Sequence, residues 1–409
     1  MRVTLLAFGT RGDAQPMSVL GSELQRRGHI VRLASSPGTH DIPQAFDLTT
    51  LPLGRDMREM VVSEEGAAIM MARSGRKLSR AVVRALYDGT SVIRDAIAAC
   101  SDSDVIIASW LTQHIAEVIA AQRRVPLVAI QTIPVRPSRA VPHPLSFDRD
   151  SGSFRNWLSG ANLRLHWRRA MRGHIQLTRA LSGFRGRTPP PALEIQAFDH
   201  ALVPALPSEQ TTPIVGSLII PGEVREALGE TDVDDVVVRW IQGGEAPVLY
   251  GFGSMPVGDP HAVMQMIERV AHETGTRAIV SSGWGGLSAA GISDDRILAV
   301  GAVNHELLMP MCAAVVHHGG AGTTAASSRA GIPAVICSVS YDQPFWGGRI
   351  AALGSGTTFE FSELDYDRLL QAVTHALAEE TRARARLVGH SMRRDAVQSA
   401  ADLIESAVR

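Results

Sequence analysis

Ala313-Ala314-Val315-Val316-His317-His318-Gly319-Gly320-Ala321-Gly322-Thr323-Thr324 is the stretch on which the reading of this chain turns. The apolar run Ala313–Val316 has the length and composition of a buried parallel strand. Ala325 to Gly331 follows as a small-residue helix that must end at or before Pro333. A strand, a glycine turn and a helix start together present free backbone N–H groups, and the helix dipole adds roughly half a positive charge at that end. Glycines 319, 320 and 322 let an anion approach the backbone, while Thr323 and Thr324 supply hydroxyls. The plainer reading is a tight turn before a packed helix, with no ligand at all. A second strand, Ala334-Val335-Ile336-Cys337, comes next, and a polar turn, Asp342-Gln343-Pro344, opens another helix. One unit thus sets a phosphate cradle and an acid–amide pair at the same sheet edge.

HHGGAGTT (317–324) followed by DQPFWG (342–347) resembles the C-terminal donor-binding signature of family 1 nucleotide-sugar glycosyltransferases of the GT-B fold. It is most similar to that of the bacterial antibiotic and macrolide glycosyltransferases and the sterol glucosyltransferases. The resemblance runs from the first strand to about residue 390, and these two motifs are its specific part. It implies an α/β chain of two facing Rossmann-like domains with parallel sheets and an interdomain cleft. Residues 1–208 would bind the acceptor and 214–380 the nucleotide sugar, with a C-terminal helix, 381–409, packing back on the first domain. By the same resemblance Gly319, Gly320, Gly322 and Thr323 hold the diphosphate with Ser254, and one of His317 and His318 points at it. Asp342 and Gln343 hold sugar hydroxyls, and Trp284 and Val303 flank the nucleoside. Plant relatives stack the uracil on a tryptophan that has no clear match here. Their ribose-binding glutamate falls at Ala326 or Ser327, so UDP and TDP both stay open.

At 409 residues the chain suits two domains of about 200. Hydrophobic residues at 45% and charged ones at 20% are ordinary for a soluble globular protein. Forty basic against 41 acidic residues give no overall field to gather nucleic acid or an anionic membrane. Cys100, Cys312 and Cys337 are scattered and contain no CxxC, which argues against a disulfide scaffold and a zinc site. There is no apolar signal segment and no run of 18 apolar residues, so a cytoplasmic protein without stable membrane insertion is expected.

Val3 to Phe8 is the first strand, and Gly9-Thr10-Arg11-Gly12-Asp13 the turn into a helix reaching Arg27. This βαβ start lacks GxGxxG and an acid closing the second strand, which excludes NAD. Asp13 has two readings: an N-cap for the helix, or a base at the carboxyl end of the first strand. The matching aspartate of G-[ST]-R-G-D is the proposed base of the related enzymes, which tips the choice to catalysis. Beyond it lie a methionine-rich stretch with Met57 and Met70, then Trp110 and His114 after the strand Val105–Ser109. His143 sits in a proline-rich loop. The resemblance places all five at the acceptor, with the helices from Ser153 to Ser182 completing its wall. His114 has a further role as an assistant to Asp13, against the reading of a packing histidine. Asp199 to Val203 is expected as the last strand of the first domain, Pro204 to Pro213 as a linker, and Thr381 to Ala407 as one amphipathic stretch.

Asp-x-Asp occurs at 102/104, 148/150, 232/234 and 365/367, in each case explained as acidic loop or helix residues. No HExxH or Cys/His cluster marks zinc and no GxSxG marks a serine hydrolase, so no metal and no cofactor are expected, the nucleotide sugar being a co-substrate. The reaction implied is one in-line displacement that inverts the anomeric carbon, with a lipophilic hydroxyl compound as acceptor. The alternatives are a non-transferring GT-B enzyme such as a sugar-nucleotide epimerase, or a silent partner that activates another glycosyltransferase. Asp13, Asp342 and Gln343 argue against silence. No nucleic acid is expected as a partner, and a homodimer is left open.

Overall fold

Among the described residues of the computed structural model, two sheets of six strands each, every pairing parallel, make up the frame. The structure describes residues 1–63, 66, 83, 90–146, 152–205, 212–228, 233–252, 259–281, 294–301 and 303–408. The first sheet holds β1 (Arg2–Ala7), β2 (Ile30–Ser35), β3 (Thr49–Pro52), β4 (Val105–Ser109), β5 (Leu127–Gln131) and β6 (Leu193–Gln196). The second holds β7 (Val248–Gly251), β8 (Ala278–Ser281), β9 (Ile297–Val300), β10 (Ala314–His317), β11 (Ala334–Ser338) and β12 (Gly356–Glu360). The central strands are apolar along their length and buried on both faces, the pattern of a parallel sheet covered by helices on each side.

Strand order is β3-β2-β1-β4-β5-β6 in the first sheet and β12-β11-β10-β7-β8-β9 in the second. Each order reverses at one place, between β1 and β4 and between β7 and β10. In open α/β sheets the carboxyl ends of the strands at such a point are where ligands bind. The glycine turn leaves the end of β10, and the turn with Asp13 leaves the end of β1.

The chain divides into two compact units, Met1–Val224 with Arg393–Arg409, and Arg225–Met392. The expected final stretch is two helices, Glu379–Ser391 and Ala396–Ala407, and the passage back to the first unit falls between them rather than at 381. Arg393 fixes this passage by donating its backbone N–H to the fully buried Asp199 at 2.7 Å. The second of these helices is clamped through Arg27, whose guanidinium meets Asp402 at 2.6 Å and Glu405 at 3.2 Å. Asp199 to Val203 is therefore not a strand. Its backbone turns, Asp199 accepting from Ala201, Leu202 and Val203, and the last strand of the first sheet is β6, ten residues after Gly183 ends the preceding helix. Among the described residues no helix is long and apolar enough to cross a membrane.

Candidate functional site

β10 pairs with β7 in the register His317↔Gly251, so the turn that follows leaves the sheet at the reversal point. Gly319 has φ +90°, and a Cβ there would lie 2.5 Å from Cγ2 of Ile336. Both facts require glycine. The helix begins at Ala321, a turn earlier than the small-residue run at 325 suggested, with Gly320 as its N-cap. Gly320 has no side chain to cap the first amides, and those of Ala321, Gly322 and Thr323 have no carbonyl one turn earlier. They are left for an external acceptor at the positive end of the helix dipole. Thr324 differs from its expected part: its hydroxyl donates to the Gly320 carbonyl at 3.0 Å, a local bond that removes it as a ligand donor. Thr323 stays half-exposed.

His317 is fully buried. Its Nδ1 accepts the Gly319 amide at 3.0 Å, and its Nε2 has no partner among the described residues. Burial, then the neighbouring His318 and His305, pushes its pKa well below the usual histidine range. His318 is half-buried, its pKa lowered to about 4 by burial and by His305. His305, given no role of its own by the sequence reading, opens the helix His305–Leu308 directly after Val303 and the N-cap Asn304, whose side chain accepts from Glu306. Val303 is buried.

The Asp342 turn packs against this cradle. A Cβ on Gly319 would stand 3.3 Å from the Gln343 carbonyl and 3.4 Å from its Cβ. The Oε1 of Gln343 accepts the amides of Val339 at 2.8 Å and Ser340 at 3.1 Å, so only its amide nitrogen is left to meet a ligand. Asp342 accepts the indole N–H of Trp346 at 2.7 Å. Its carboxyl is raised above the ordinary range by burial, with the indole bond opposing. Tyr341, at φ +56°, holds the turn in a left-handed conformation that non-glycine residues adopt at a cost. Ser254, Trp284 and Met70 lie outside the described residues.

At the edge of the first sheet the helix Arg11–Arg26 starts one residue after its N-cap, Thr10. Asp13 is therefore not the N-cap; it is the third helical residue, and its Oδ2 accepts the Thr10 amide at 2.9 Å. Gly9 admits that carboxylate, since a Cβ on it would fall 2.1 Å from Oδ2. Thr112 donates its hydroxyl to the Leu6 carbonyl at 2.8 Å, tying the turn after β4 to β1. His114 emerges from that turn, its Nδ1 3.7 Å from Glu117. Burial alone would raise the Glu117 pKa, and hydrogen bonds from His114 and Gln113 with the His114 charge outweigh it, leaving it lowered.

Trp110, His114 and His143 line one cavity of ≈ 50 Å³. That is room for a water or two, against the several hundred Å³ of a typical ligand site. Trp110 stacks on Trp167 with ring centroids 4.3 Å apart. His143 is buried, its Nδ1 accepting from Leu145 at 3.1 Å, and burial lowers its pKa to about 4 despite an opposing bond from the ring to the Val135 backbone. Glu117, Arg164 and Trp167 also line the cavity; the chain in order gave no signal for them beyond the general placing of the helix that carries the last two. Met57 does not reach this cavity. It is 2% exposed in the core of the first unit, its amide bonded to Ser36.

Asp102 and Asp104, one of the Asp-x-Asp pairs, are bound by Arg2 and Arg32 at the amino edge of the first sheet, opposite Asp13. Among the described residues Glu268, His272 and Asp294 are the one group close enough to share a metal. His272 and Asp294 already form a 2.6 Å pair, at the amino edge of the second sheet.

Residues 3–142 match the family described as Glycosyltransferase family 28 N-terminal domain, and residues 286–401 the Erythromycin biosynthesis protein CIII-like, C-terminal domain. An uncharacterized glycosyltransferase of Mycobacterium tuberculosis is 32% identical across 100% of this chain and 99% of its own. The sterol 3-beta-glucosyltransferase UGT80B1 of Arabidopsis thaliana is 30% identical over 94% of this chain, which spans 64% of that protein. CalG4, the calicheamicin glycosyltransferase, shares the fold with a TM-score of 0.72 at 18% identity, over 99% of this chain and 97% of that one. Glycosyltransferase VinC, solved in complex with dTDP, gives 0.69 at 19% identity over 100% and 99%. The fold and the paired sheet edges define a GT-B protein. The chain belongs to the family 1 glycosyltransferases of that fold, and it is an enzyme that transfers sugar.

Proposed function

We propose that this enzyme moves a sugar from a UDP- or TDP-linked donor to a hydroxyl of a lipophilic natural-product or sterol-like acceptor, inverting the anomeric carbon, in the cytoplasm. The contact of the Gly319 turn with the Asp342–Gln343 turn at the β10/β7 reversal carries this reading, because it sets a diphosphate cradle beside groups suited to sugar hydroxyls. The second unit takes the donor. The amides of residues 321–323 and the Nε2–H of His317 receive the diphosphate, joined by His318 and Ser254. Asp342 and the amide nitrogen of Gln343 take sugar hydroxyls, and Trp284 and Val303 flank the nucleoside. The first unit takes the acceptor beside Trp110, His114 and His143.

In the displacement the acceptor oxygen bonds to the anomeric carbon as the bond to the diphosphate oxygen breaks. The acceptor proton passes to the Asp13 carboxylate, and the electron pair leaves with the diphosphate. The dTDP held by VinC supports a thymidine or uridine diphosphate donor, and the name of the Arabidopsis relative supports a lipophilic alcohol as acceptor. A donor-by-acceptor screen with mass detection tests the whole. A product heavier than the acceptor by one sugar is expected; hydrolysis or epimerisation of the donor with every alcohol offered would overturn it.

A further inference from the structure

Between Ser151 and Leu193 the sequence contains eight arginines and no aspartate or glutamate. In a chain with net charge −1 this leaves the remainder at −9, so the even overall balance conceals one strongly basic segment. The helix Ser153–Ala170 lies within it. Its Asn156, Gly160, Leu163 and Trp167 are buried, while Phe154 is 62% exposed, Trp157 40%, Leu158 50% and Leu165 47%. At about 100° per residue these four outward apolar side chains fall in one arc of about 100°, opposite the buried face. The exposed Arg155 and Arg169 flank the arc on one side, while Arg168 falls within its other edge and Arg164 just beyond it, both of these also lining the small cavity. None of the four is ion-paired with a described residue.

We infer that this helix face docks reversibly on an anionic membrane surface, Phe154, Trp157, Leu158 and Leu165 entering the headgroup boundary while Arg155 and Arg169 beside them meet lipid phosphates. A large apolar arc bordered by arginine, with tryptophan at its rim, is the composition such a surface selects. A second copy of the chain fits it poorly, because two such faces would set arginine against arginine with no acid in the segment to pair them. A nucleic acid fits it poorly too, since the apolar arc occupies the centre of the basic field. The inner face of the same helix lines the small cavity through Leu163 and Trp167. Docking therefore sets that cavity within one helix diameter, about 10 Å, of the lipid, where a bilayer-dissolved acceptor is delivered. That last step alone rests on the proposed acceptor role of the cavity.

The test is co-sedimentation of the full chain with phosphatidylcholine vesicles, with and without about one phosphatidylglycerol in three, at about 0.1 M salt. Binding to the anionic vesicles and release by high salt are expected. Arg155→Ala and Arg169→Ala should each weaken it about fivefold. Phe154→Ser and Leu158→Ser should each weaken it about tenfold or more. All four positions are exposed and outside the cavity, so melting curves and nucleotide affinity should match wild type. In the wild-type chain, brominated acyl chains should quench Trp157, read as the difference from Trp157→Phe. Equal binding to neutral and anionic vesicles, no binding, or indifference to Leu158→Ser would each sink the inference. So would a dimer dissolved by Leu158→Ser, or preferential binding of RNA. Wild-type protein that binds vesicles yet ignores UDP and TDP would instead strike the donor reading and leave the dock standing.

Discussion

Gly319 donates its amide N–H to Nδ1 of His317 at 3.0 Å, and that bond decides the tautomer of a fully buried ring. With Nδ1 accepting, the ring is neutral and its proton sits on Nε2, the atom with no described partner. Leu145 imposes the same arrangement on the buried His143 in the other unit.

Stability should therefore fall in mild acid. Unfolded, each histidine titrates near 6.5. Folded, burial holds His317 well below that value and His143 at about 4. Between the folded and unfolded values the unfolded chain binds more protons, so the contribution is complete above about pH 6.5 and is lost as the pH drops. The loss is up to about 1.4 kcal/mol per pH unit for each ring. Calorimetric melts at pH 7 and 5 should show a clear drop, and His317→Gln should flatten it for the second unit. Melting temperatures level between these pH values would contradict the burial argument.

Asp13→Asn separates catalysis from helix capping. Asparagine keeps an oxygen to accept the Thr10 amide, so the melting temperature should move by no more than a few degrees. As the base, the variant should lose about 10² to 10⁴ in kcat with nucleotide affinity unchanged. Turnover within a few-fold of wild type would remove Asp13 from the role and direct the same test to His114.

The central parallel strands were legible because both faces are covered, so each is a short apolar run bounded by a turn. The partly exposed edge strands β3, β6, β9 and β12 were not read, and all but β9 lack such a run. HHGGAGTT was legible because few other functions need three glycines between a strand and a helix. What escaped were features set by partners distant in sequence. Asp199 to Val203 is apolar enough for a strand, but Asp199 is committed to turning the chain and to holding Arg393. Met57 was placed at the acceptor wall by the family resemblance, and its burial depends on elements nothing local reveals. Asp13 was displaced by three positions because Thr10 takes the cap first. The arginine-rich segment was in plain view and was averaged away in the net charge.

Trp346→Phe should act on the sugar rather than the nucleotide. It removes the indole N–H that fixes Asp342 while keeping most of the buried ring volume. The donor KM should rise several-fold, and sugar preference should broaden. Affinity for free UDP or TDP should hold, measured by calorimetry. Equal losses for nucleotide and nucleotide sugar would mean Asp342 supports the fold of the turn instead.

Turnover should survive EDTA. Asp102 and Asp104 are bound by arginines, and Asp234 and Asp365 cap helices through backbone amides. The diphosphate charge is then met by the helix Ala321–Ala330, hydroxyls and histidine. Activity lost to EDTA and restored only by Mg²⁺ or Mn²⁺ would show that the leaving-group assignment is wrong.

Gly319→Ala tests whether the cradle's shape is what binds the donor. The new Cβ would meet Ile336 Cγ2 at 2.5 Å on a backbone at φ +90°, so the turn must shift. A loss of about 1–3 kcal/mol in stability is expected. Because the same turn orients the His317 ring and the first helix amides, UDP or TDP affinity should fall by about tenfold or more, a charge-assisted bond or two being misplaced. Gly348→Ala is the control: it sits exposed in the helix Gln343–Ala352, with nothing within 4 Å of an added Cβ. That change should be neutral or slightly stabilising, as alanine is for a helix interior. Adding Ile336→Ala to Gly319→Ala removes the colliding methyl but not the backbone strain. If collision dominates, the double variant will be less destabilised than the sum of the single ones. If affinity stays at the wild-type value in Gly319→Ala while stability falls, the turn is a packing feature and the diphosphate must be held elsewhere.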